Sequence, residues 1–145
     1  MMQINSDNLI NKNIPETFNP DVFFNGRIDA TGLFLDRFGV VRRRFNVRVD
    51  ASKTKTGFQL NEAFLFDNGE QETRVWSITK KSETTYIGSC DDVCGTAIGA
   101  LSGSSLDWRY DFFMTLFGRR VKVKFEDLMV LQSPNIMLNK SKVKK

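Results

Sequence analysis

One charged pair on a predicted hairpin is the strongest candidate for chemistry in this sequence. The turn Asp67-Asn68-Gly69 separates two stretches that alternate between apolar and polar residues. If all three residues form the turn, with glycine in the left-handed conformation, Glu62 lies opposite Arg74 and Leu60 lies opposite Trp76. A two-residue turn would match acid with apolar residue instead. The sequence therefore predicts the three-residue turn and a facing acid and base.

Glu62 and Arg74 fall on an otherwise apolar strand face. Buried charges are costly unless they pair, so we expect these two side chains to form one ion pair. A structural pair that fixes the strand register is one interpretation, and it is favoured because a satisfied pair has few free valences. An anchor for the polar head group of a ligand is the other.

The remaining reactive residue types exclude much chemistry. The chain has no histidine, which rules out Ser-His-Asp and Cys-His nucleophiles and every histidine-ligated metal site. Cys90 and Cys94 have neither redox nor zinc spacing, and we expect two free, partly buried thiols. Asp91 and Asp92 are interpreted as a capped turn. The sequence predicts no metal site, no cofactor and no catalytic residue.

The elements that must position Glu62 and Arg74 are predicted strands. Prolines occur only at positions 15, 20 and 134, and the block between them repeatedly alternates with period two. The predicted strands are Val22–Leu35, Val40–Asp50, Phe58–Phe66, Glu70–Thr79, Thr84–Ser89, Gly95–Ser102, Leu106–Leu116 and Val121–Leu131. Short turns between them indicate an all-β, eight-stranded antiparallel up-and-down barrel of the lipocalin or calycin type, because closure removes unpaired edges. A sandwich is the alternative, but it needs long crossovers.

The predicted barrel domain spans residues 21–133, after an N-terminal extension (1–20) and before a basic C-terminal tail (134–145). The 145-residue chain has a formal charge of +4, and four of its 21 basic residues are Lys140, Lys142, Lys144 and Lys145. The rest of the chain is balanced, so we expect a frayed tail and no specific nucleic-acid partner. Peripheral membrane contact through the tail is a minor expectation. The chain as written lacks a signal peptide, which predicts a cytoplasmic location, or a periplasmic or membrane-anchored one if the N-terminus is truncated.

Aromatic residues dominate the predicted interior. The stretch Leu106–Leu116 places Trp108 and Tyr110 on one face, whereas Gly95–Ser102 is rich in small residues. A pocket for an acyl chain has such walls, and so does a barrel filled by its own side chains. The residues predicted to line the pocket are Glu62, Arg74, Trp76, Tyr86, Trp108 and Tyr110.

Short motifs spread in order along the chain resemble one bacterial family. They include Gly32-Leu33-Phe34-Leu35-Asp36-Arg37-x-Gly39, Asn61-Glu62-x-Phe64-x-Phe66-Asp67-x-Gly69, Arg74-x-Trp76, Asp92-Val93-x-Gly95-x-Ala97-x-Gly99 and Trp108-x-Tyr110. Together they resemble the Domain of Unknown Function 3833 family of predicted lipoproteins, over roughly residues 22–139. The resemblance implies a lipocalin-like barrel, no established activity and, from neighbouring cyclopropane fatty-acid synthesis genes, lipid handling. The chain departs from the family at Leu128, where tryptophan is usual, and it lacks the lipid-attachment cysteine and the lipocalin Gly-x-Trp signature.

Three functions follow from these observations. The leading hypothesis is a barrel that binds an apolar ligand such as a fatty-acyl lipid. The first alternative is a lipid-modifying enzyme of isomerase or hydratase type, with Glu62 as base and Tyr86 or Arg74 as polar support; a raised pKa at an unpaired Glu62 would favour it. The second is a filled barrel that acts as an assembly module, recognised by an exposed apolar patch. The oligomeric state is not predicted.

Overall fold

A closed β-barrel forms almost the whole of the described chain. The computed structural model describes residues 17–116 and 118–144, and within them nine strands close on one another after a short helix. The elements are α1 (Pro20–Phe23), β1 (Gly26–Leu35), β2 (Val41–Lys53), β3 (Gly57–Phe66), β4 (Gln71–Lys80), β5 (Thr85–Ser89), β6 (Val93–Ser102), β7 (Ser105–Leu116), β8 (Arg119–Ser133) and β9 (Ile136–Lys144).

Period-two alternation explains the strands, as the sequence indicates. On β2, Phe45, Val47 and Val49 are buried in the barrel, whereas Arg44 and Arg48 are exposed outside. Each inward residue removes apolar surface from water, and each outward one keeps its charge solvated. The all-β barrel is confirmed.

The predicted count of eight antiparallel strands is wrong, because the expected basic tail contains a ninth strand. β9 pairs antiparallel with β8. It also pairs in parallel with β1, where the register runs from Asp29 opposite Ile136 to Leu35 opposite Lys142. Strands in an up-and-down barrel alternate in direction, so an odd number leaves the first and last strands parallel. Ile136–Lys144 is therefore not a frayed tail, although Lys145 lies outside the described residues.

The register of the β3–β4 hairpin is confirmed. Glu62 lies opposite Arg74, and Leu60 lies opposite Trp76. Gly69 has a φ of +86°, which places it in the left-handed region that the predicted three-residue turn requires. The Gly69 amide closes the turn by donating to the Phe66 carbonyl at 2.9 Å.

An aromatic plug closes one end of the barrel. The predicted first strand begins too early: residues from Pro20 to Phe23 form α1, with Asn19 as its N-cap and proline at its first position. Phe18, Phe23 and Phe24 are all buried, and the ring of Phe24 stacks on that of Phe58 at 5.0 Å. We call these three rings the aromatic plug, and the end of the barrel that they cover the closed end. Of the predicted extension, residues 1–16 lie outside the described residues.

Polar contacts fasten the plug to the barrel wall. The Lys80 ammonium lies 2.7 Å from the Asp21 carboxylate, and the Phe18 amide donates to the Gly103 carbonyl at 3.2 Å. In the described part of the chain, no helix is long and apolar enough to cross a membrane.

The small residues of β5 and β6 make room for one indole. A Cβ on Gly99 would lie 2.5 Å from the Trp108 ring, and one on Gly88 would lie 2.7 Å from it. Trp108 itself is only 4% exposed. Its ring occupies the space that the small residues leave, so this part of the interior is filled.

Candidate functional site

The barrel interior is divided into three levels by the strand register. Apolar rings at the closed end form the floor, and an apolar opening at the other end forms the mouth. Between them lies a level that we call the polar layer, which consists of Glu62 on β3, Arg74 on β4, Tyr110 on β7, Asp127 on β8, and Asn139 and Ser141 on β9. Cross-strand partners set this level: Glu62 faces Arg74, and Asp127 faces Ser141.

A narrow cavity, which we call the inner cavity, extends from the polar layer to Tyr86 and Phe24 at the closed end. Its volume is about 50 Å³. This is enough for a few water molecules or a small chemical group and too little for an acyl chain. The cavity is lined by all six residues predicted from the sequence: Glu62, Arg74, Trp76, Tyr86, Trp108 and Tyr110.

Arg74 pairs with a different acid from the one predicted. Its guanidinium lies 3.0 Å from the Glu72 carboxylate, two residues away on the same face of β4. It also lies over the rings of Phe64 and Phe112, at 4.9 and 4.6 Å from their centroids. Within the described residues no salt bridge joins Glu62 to Arg74, so the predicted ion pair is wrong. Glu72 is the better partner because its side chain is 44% exposed and loses less hydration on pairing.

Among the described residues, no cation forms a salt bridge with the Glu62 carboxyl group. Burial raises its pKa from the usual 4.5 to about 7. The more distant charge of Arg74 and the indole of Trp76 oppose this shift, and the charge of Asp127 adds to it. Glu62 therefore exchanges a proton near neutral pH.

Asp127 is the most deeply buried acid in the polar layer and was missed by the sequence analysis. It is only 6% exposed, and burial raises its pKa from 3.8 to about 6. Its Oδ2 accepts a hydrogen bond from the Tyr110 hydroxyl at 3.2 Å, whereas its Oδ1 is buried without a hydrogen-bond partner. The neighbouring Ser141 hydroxyl lies 3.4 Å from the amide oxygen of Asn139, to which it donates. Hydrogen bonding by the Ser141 and Tyr110 hydroxyls opposes the rise in the pKa of Asp127, although burial outweighs it.

The Tyr110 hydroxyl remains protonated and so remains a hydrogen-bond donor to Asp127. Burial first, and the charge of Asp127 second, raise the pKa of Tyr110 well above its usual value. The phenol therefore stays protonated, and its ring is held by stacking on Phe125 at 5.1 Å and by an edge contact with Trp76 at 5.2 Å.

The mouth of the barrel holds a larger, apolar pocket. It has a volume of about 250 Å³. The apolar residues around it include Phe34, Phe66, Met114, Val123, Phe125 and Val143. Arg74 and Phe34 line both this mouth pocket and the inner cavity, so the two spaces adjoin at the polar layer.

Charges at the rim of the mouth are paired. Arg42 bridges Asp36 at 2.8 Å, and the Arg43 guanidinium bridges Glu70 at 2.9 Å. The Arg43 side chain also covers the Phe66 ring at 3.7 Å, and its Nε is buried without an acceptor. The rim is thus close to neutral, with one unused donor.

Tyr86 lies at a different level from Glu62. Its hydroxyl lies 3.3 Å from the Asp21 carboxylate, to which it donates at the closed end. On β4 it pairs with Lys80, whereas Glu62 pairs with Arg74; six residues along a strand correspond to about 20 Å. Tyr86 cannot support chemistry at Glu62. Arg74, Tyr110 and Asp127 are polar groups at the level of Glu62.

One signal in the sequence could have identified Asp127. Asp127 is a lone acid on the inward face of a predicted strand, in phase with Val123, Phe125 and Met129. That is the same pattern that identified Glu62. Asn139 and Ser141 were missed because their strand was interpreted as a tail.

The cysteines and paired aspartates add no site. Cys90 and Cys94 are free and partly buried, as predicted. Over residues 17–116 and 118–144, no group of three or more histidine, cysteine or acidic residues is arranged to hold a metal ion.

One family model matches nearly the whole chain. The chain belongs to the DUF3833 family, described as a protein of unknown function, whose model matches residues 3–145. No curated protein and no solved structure is significantly similar to it.

Proposed function

We propose that this barrel binds an apolar ligand, such as a fatty-acyl lipid, with its apolar part in the mouth pocket and its polar end at the polar layer. The observation that carries the proposal is the adjacency of an apolar pocket of about 250 Å³ to a small, mainly apolar cavity that includes the residues of the polar layer. Ligand sites in barrels are commonly apolar spaces at the mouth with a few converging polar groups.

The closed end favours a single entrance. The aromatic plug covers the barrel opposite the mouth, and its rings pack on Phe58. A ligand would therefore enter past the rim arginines and stop at the polar layer. Burial of apolar surface supplies the affinity, at about 25 cal/mol per Å² before the costs of ordering the ligand.

A titration of tryptophan fluorescence tests the proposal. Both tryptophans of the chain line the inner cavity, so a ligand that reaches the polar layer changes their emission. Val143→Asp places a charge in the mouth pocket, and we expect it to weaken binding of a ten-carbon ligand at least tenfold.

Leu138→Asp is the matched control. Leu138 is on the same strand but faces outward and is 38% exposed, so the control adds the same charge to the outer wall. If both variants bind like the wild type, the mouth pocket is not the binding site.

An acid–base enzyme is the second candidate, and one observation favours it. Glu62 has no salt-bridge partner among the described residues, and its pKa of about 7 suits a group that gives and takes protons at neutral pH. In this form of the proposal Glu62 is the base of an isomerase or hydratase, with Arg74 beside it. Turnover of unsaturated acyl substrates that Glu62→Gln abolishes, without loss of ligand binding, would establish the enzyme.

The assembly-module interpretation stays a prediction. Exposed large apolar residues of the outer wall occur on β3, β4, β6 and β9: Leu65, Val75, Ile98, Ile136 and Leu138.

A further inference from the structure

We propose that the mouth end of the barrel docks on an anionic phospholipid bilayer, with Phe38 among the lipid head groups and a lysine-rich part of the outer wall against the phosphates. The inference goes beyond the proposed function, because it assigns a second surface and the partner that this surface binds. Docking would bring the mouth pocket to a source of apolar ligands, but it does not require the pocket to be occupied.

The first support is a large apolar ring at the tip of the turn between β1 and β2. Phe38 is 75% exposed, and Val40 beside it is 49% exposed. Hydrogen bonds fix this turn, because the Asp36 carboxylate accepts the amides of both residues at 2.9 and 3.0 Å. The Arg37 guanidinium lies 4.8 Å from the Phe38 ring centroid. A lone exposed ring is common on protein surfaces, so the charges around it decide what it contacts.

The second support is the outer face of β8 and β9, which we call the lysine face. Five lysines alternate there with inward-facing residues: Lys122, Lys124, Lys140, Lys142 and Lys144. Two of them form salt bridges, one with Asp111 at 3.7 Å and one with Glu126 at 3.1 Å. The other three form no salt bridge within residues 17–116 and 118–144. The lysine face therefore carries a net positive charge.

The strand register brings the exposed ring and the lysine face together. Leu35, the last residue of β1, lies opposite Lys142 on β9, and the turn that carries Phe38 begins at the next residue. Lys144 lies opposite Lys124 on β8. Phe38 therefore lies beside the mouth end of the lysine face. Anionic bilayers bind such surfaces, because their phosphates attract the cations and their interface takes up the apolar ring.

Acidic residues at the mouth do not cancel this charge. Asp67, Glu70 and Glu72 lie around the β3–β4 turn, on the other side of β2 from β1 and β9. Glu70 and Glu72 pair with arginines at 2.9 and 3.0 Å, and Asp67 accepts a backbone amide at 3.2 Å. Two of the three negative charges are thus neutralised locally, and the lysine face keeps its positive potential.

Cosedimentation with vesicles tests the docking. The wild-type protein is mixed, at about 0.1 M salt, with vesicles of phosphatidylcholine that contain about 30% phosphatidylglycerol, or with vesicles of phosphatidylcholine alone. We expect at least tenfold tighter binding to the anionic vesicles, and weaker binding as the salt concentration is raised. No binding to the anionic vesicles, or equal binding to the neutral ones, would overturn the inference.

A first pair of variants tests the apolar contact. Phe38→Ser should weaken binding to the anionic vesicles at least fivefold, because the ring no longer leaves water. Val22→Ser is the matched control: it removes an apolar side chain of 72% exposure from α1 at the closed end, and binding should stay within twofold of the wild type. Equal effects of the two variants would overturn the assignment of the mouth end.

A second pair tests the charges. Lys124→Gln combined with Lys142→Gln removes two lysines of the lysine face and should weaken binding at least tenfold. Lys53→Gln combined with Lys55→Gln removes two exposed lysines from the turn between β2 and β3, at the closed end. This control should stay within threefold of the wild type. A lysine-face variant that binds as well as its control would contradict the proposed orientation.

The remaining outcomes separate docking from other partners and from the proposed function. Binding of a single-stranded oligonucleotide without vesicle binding would overturn docking and assign the lysine face to a soluble polyanion. Phe38 does not line the mouth pocket, so Phe38→Ser should bind n-decanol like the wild type. If decanol binds and vesicles do not, docking alone is overturned; if vesicles bind and no apolar probe does, the proposed function alone is overturned.

Discussion

The closed end and the polar layer are both built around tyrosine and aspartate, yet they differ in how their polar groups are satisfied. At the closed end, Tyr86 and Lys80 both contact the Asp21 carboxylate, at 3.3 and 2.7 Å. In the polar layer, Tyr110 contacts one oxygen of Asp127 while the other has no partner.

This difference separates a structural polar cluster from a candidate binding site. The Asp21 cluster is partly exposed and complete, so it fastens the plug and needs nothing further. The Asp127 cluster is buried and incomplete, which is costly in a core that has no use for it. Under the proposed function the polar layer serves ligand binding, whereas the closed end serves stability.

The largest effect is expected from removing the plug's central ring. Phe23 is 6% exposed and packs on Phe18 and Phe24 at 5.5 and 5.2 Å. Phe23→Ala should lower the free energy of unfolding by about 3–5 kcal/mol, as measured by urea denaturation. Affinity for an apolar probe at the mouth should stay within threefold of the wild type; a loss of binding in the folded variant would show that the two ends are not independent.

The pH dependence of stability should come chiefly from the polar layer. The pKa of Glu62 is about 7 in the folded protein against a usual 4.5, and that of Asp127 is about 6 against 3.8. Between the unfolded and folded pKa values of each acid, the unfolded chain binds fewer protons than the folded protein. The free energy of unfolding therefore falls as pH rises. For Glu62 the fall between pH 5 and pH 8 is about 2.5 kcal/mol.

Glu62→Gln provides the control for this effect. The neutral amide does not titrate, so the variant should lose much of the fall between pH 5 and pH 8. Urea denaturation at both pH values measures it. A wild-type protein that is more stable at pH 8 than at pH 5 would contradict the expectation, and so would an unchanged slope in the variant.

The smallest effects are expected from removing one hydroxyl at the closed end and one in the polar layer. Tyr110→Phe removes one hydrogen-bond donor from a buried carboxylate and should cost about 1–3 kcal/mol at pH 8. Tyr86→Phe leaves Asp21 with Lys80, and its cost should be about 0.5–1.5 kcal/mol. Thermal unfolding of the two matched variants gives the order, and equal losses would remove the distinction between the two clusters.

Local sequence patterns predicted most of the strands that form the barrel wall. Alternation located the strands, and cross-strand matching of Glu62 with Arg74 fixed the register of one hairpin correctly. The ion pair was wrong because Arg74 has an acid across the strand at Glu62 and another on its own strand at Glu72. The choice between them depends on burial, which becomes known only when the barrel is closed.

Features that depend on distant contacts were beyond the sequence pattern. β9 was missed because its inward face includes Asn139 and Ser141 while its outward face carries lysines, so it has little apolar alternation. It closes the barrel by pairing in parallel with β1, so the contact joins the first and the last strand of the chain. The start of α1 was readable in principle, because Asn19 and Pro20 are typical of a helix beginning.

Native mass spectrometry of the purified protein, followed by solvent extraction and lipid analysis, tests the central claim most directly. We expect a discrete adduct on the wild type and on Leu138→Asp, released on extraction as an apolar molecule, and its loss from Val143→Asp. A clean mass for the wild type, unchanged after incubation with decanol, decylammonium and decanoate, would contradict it.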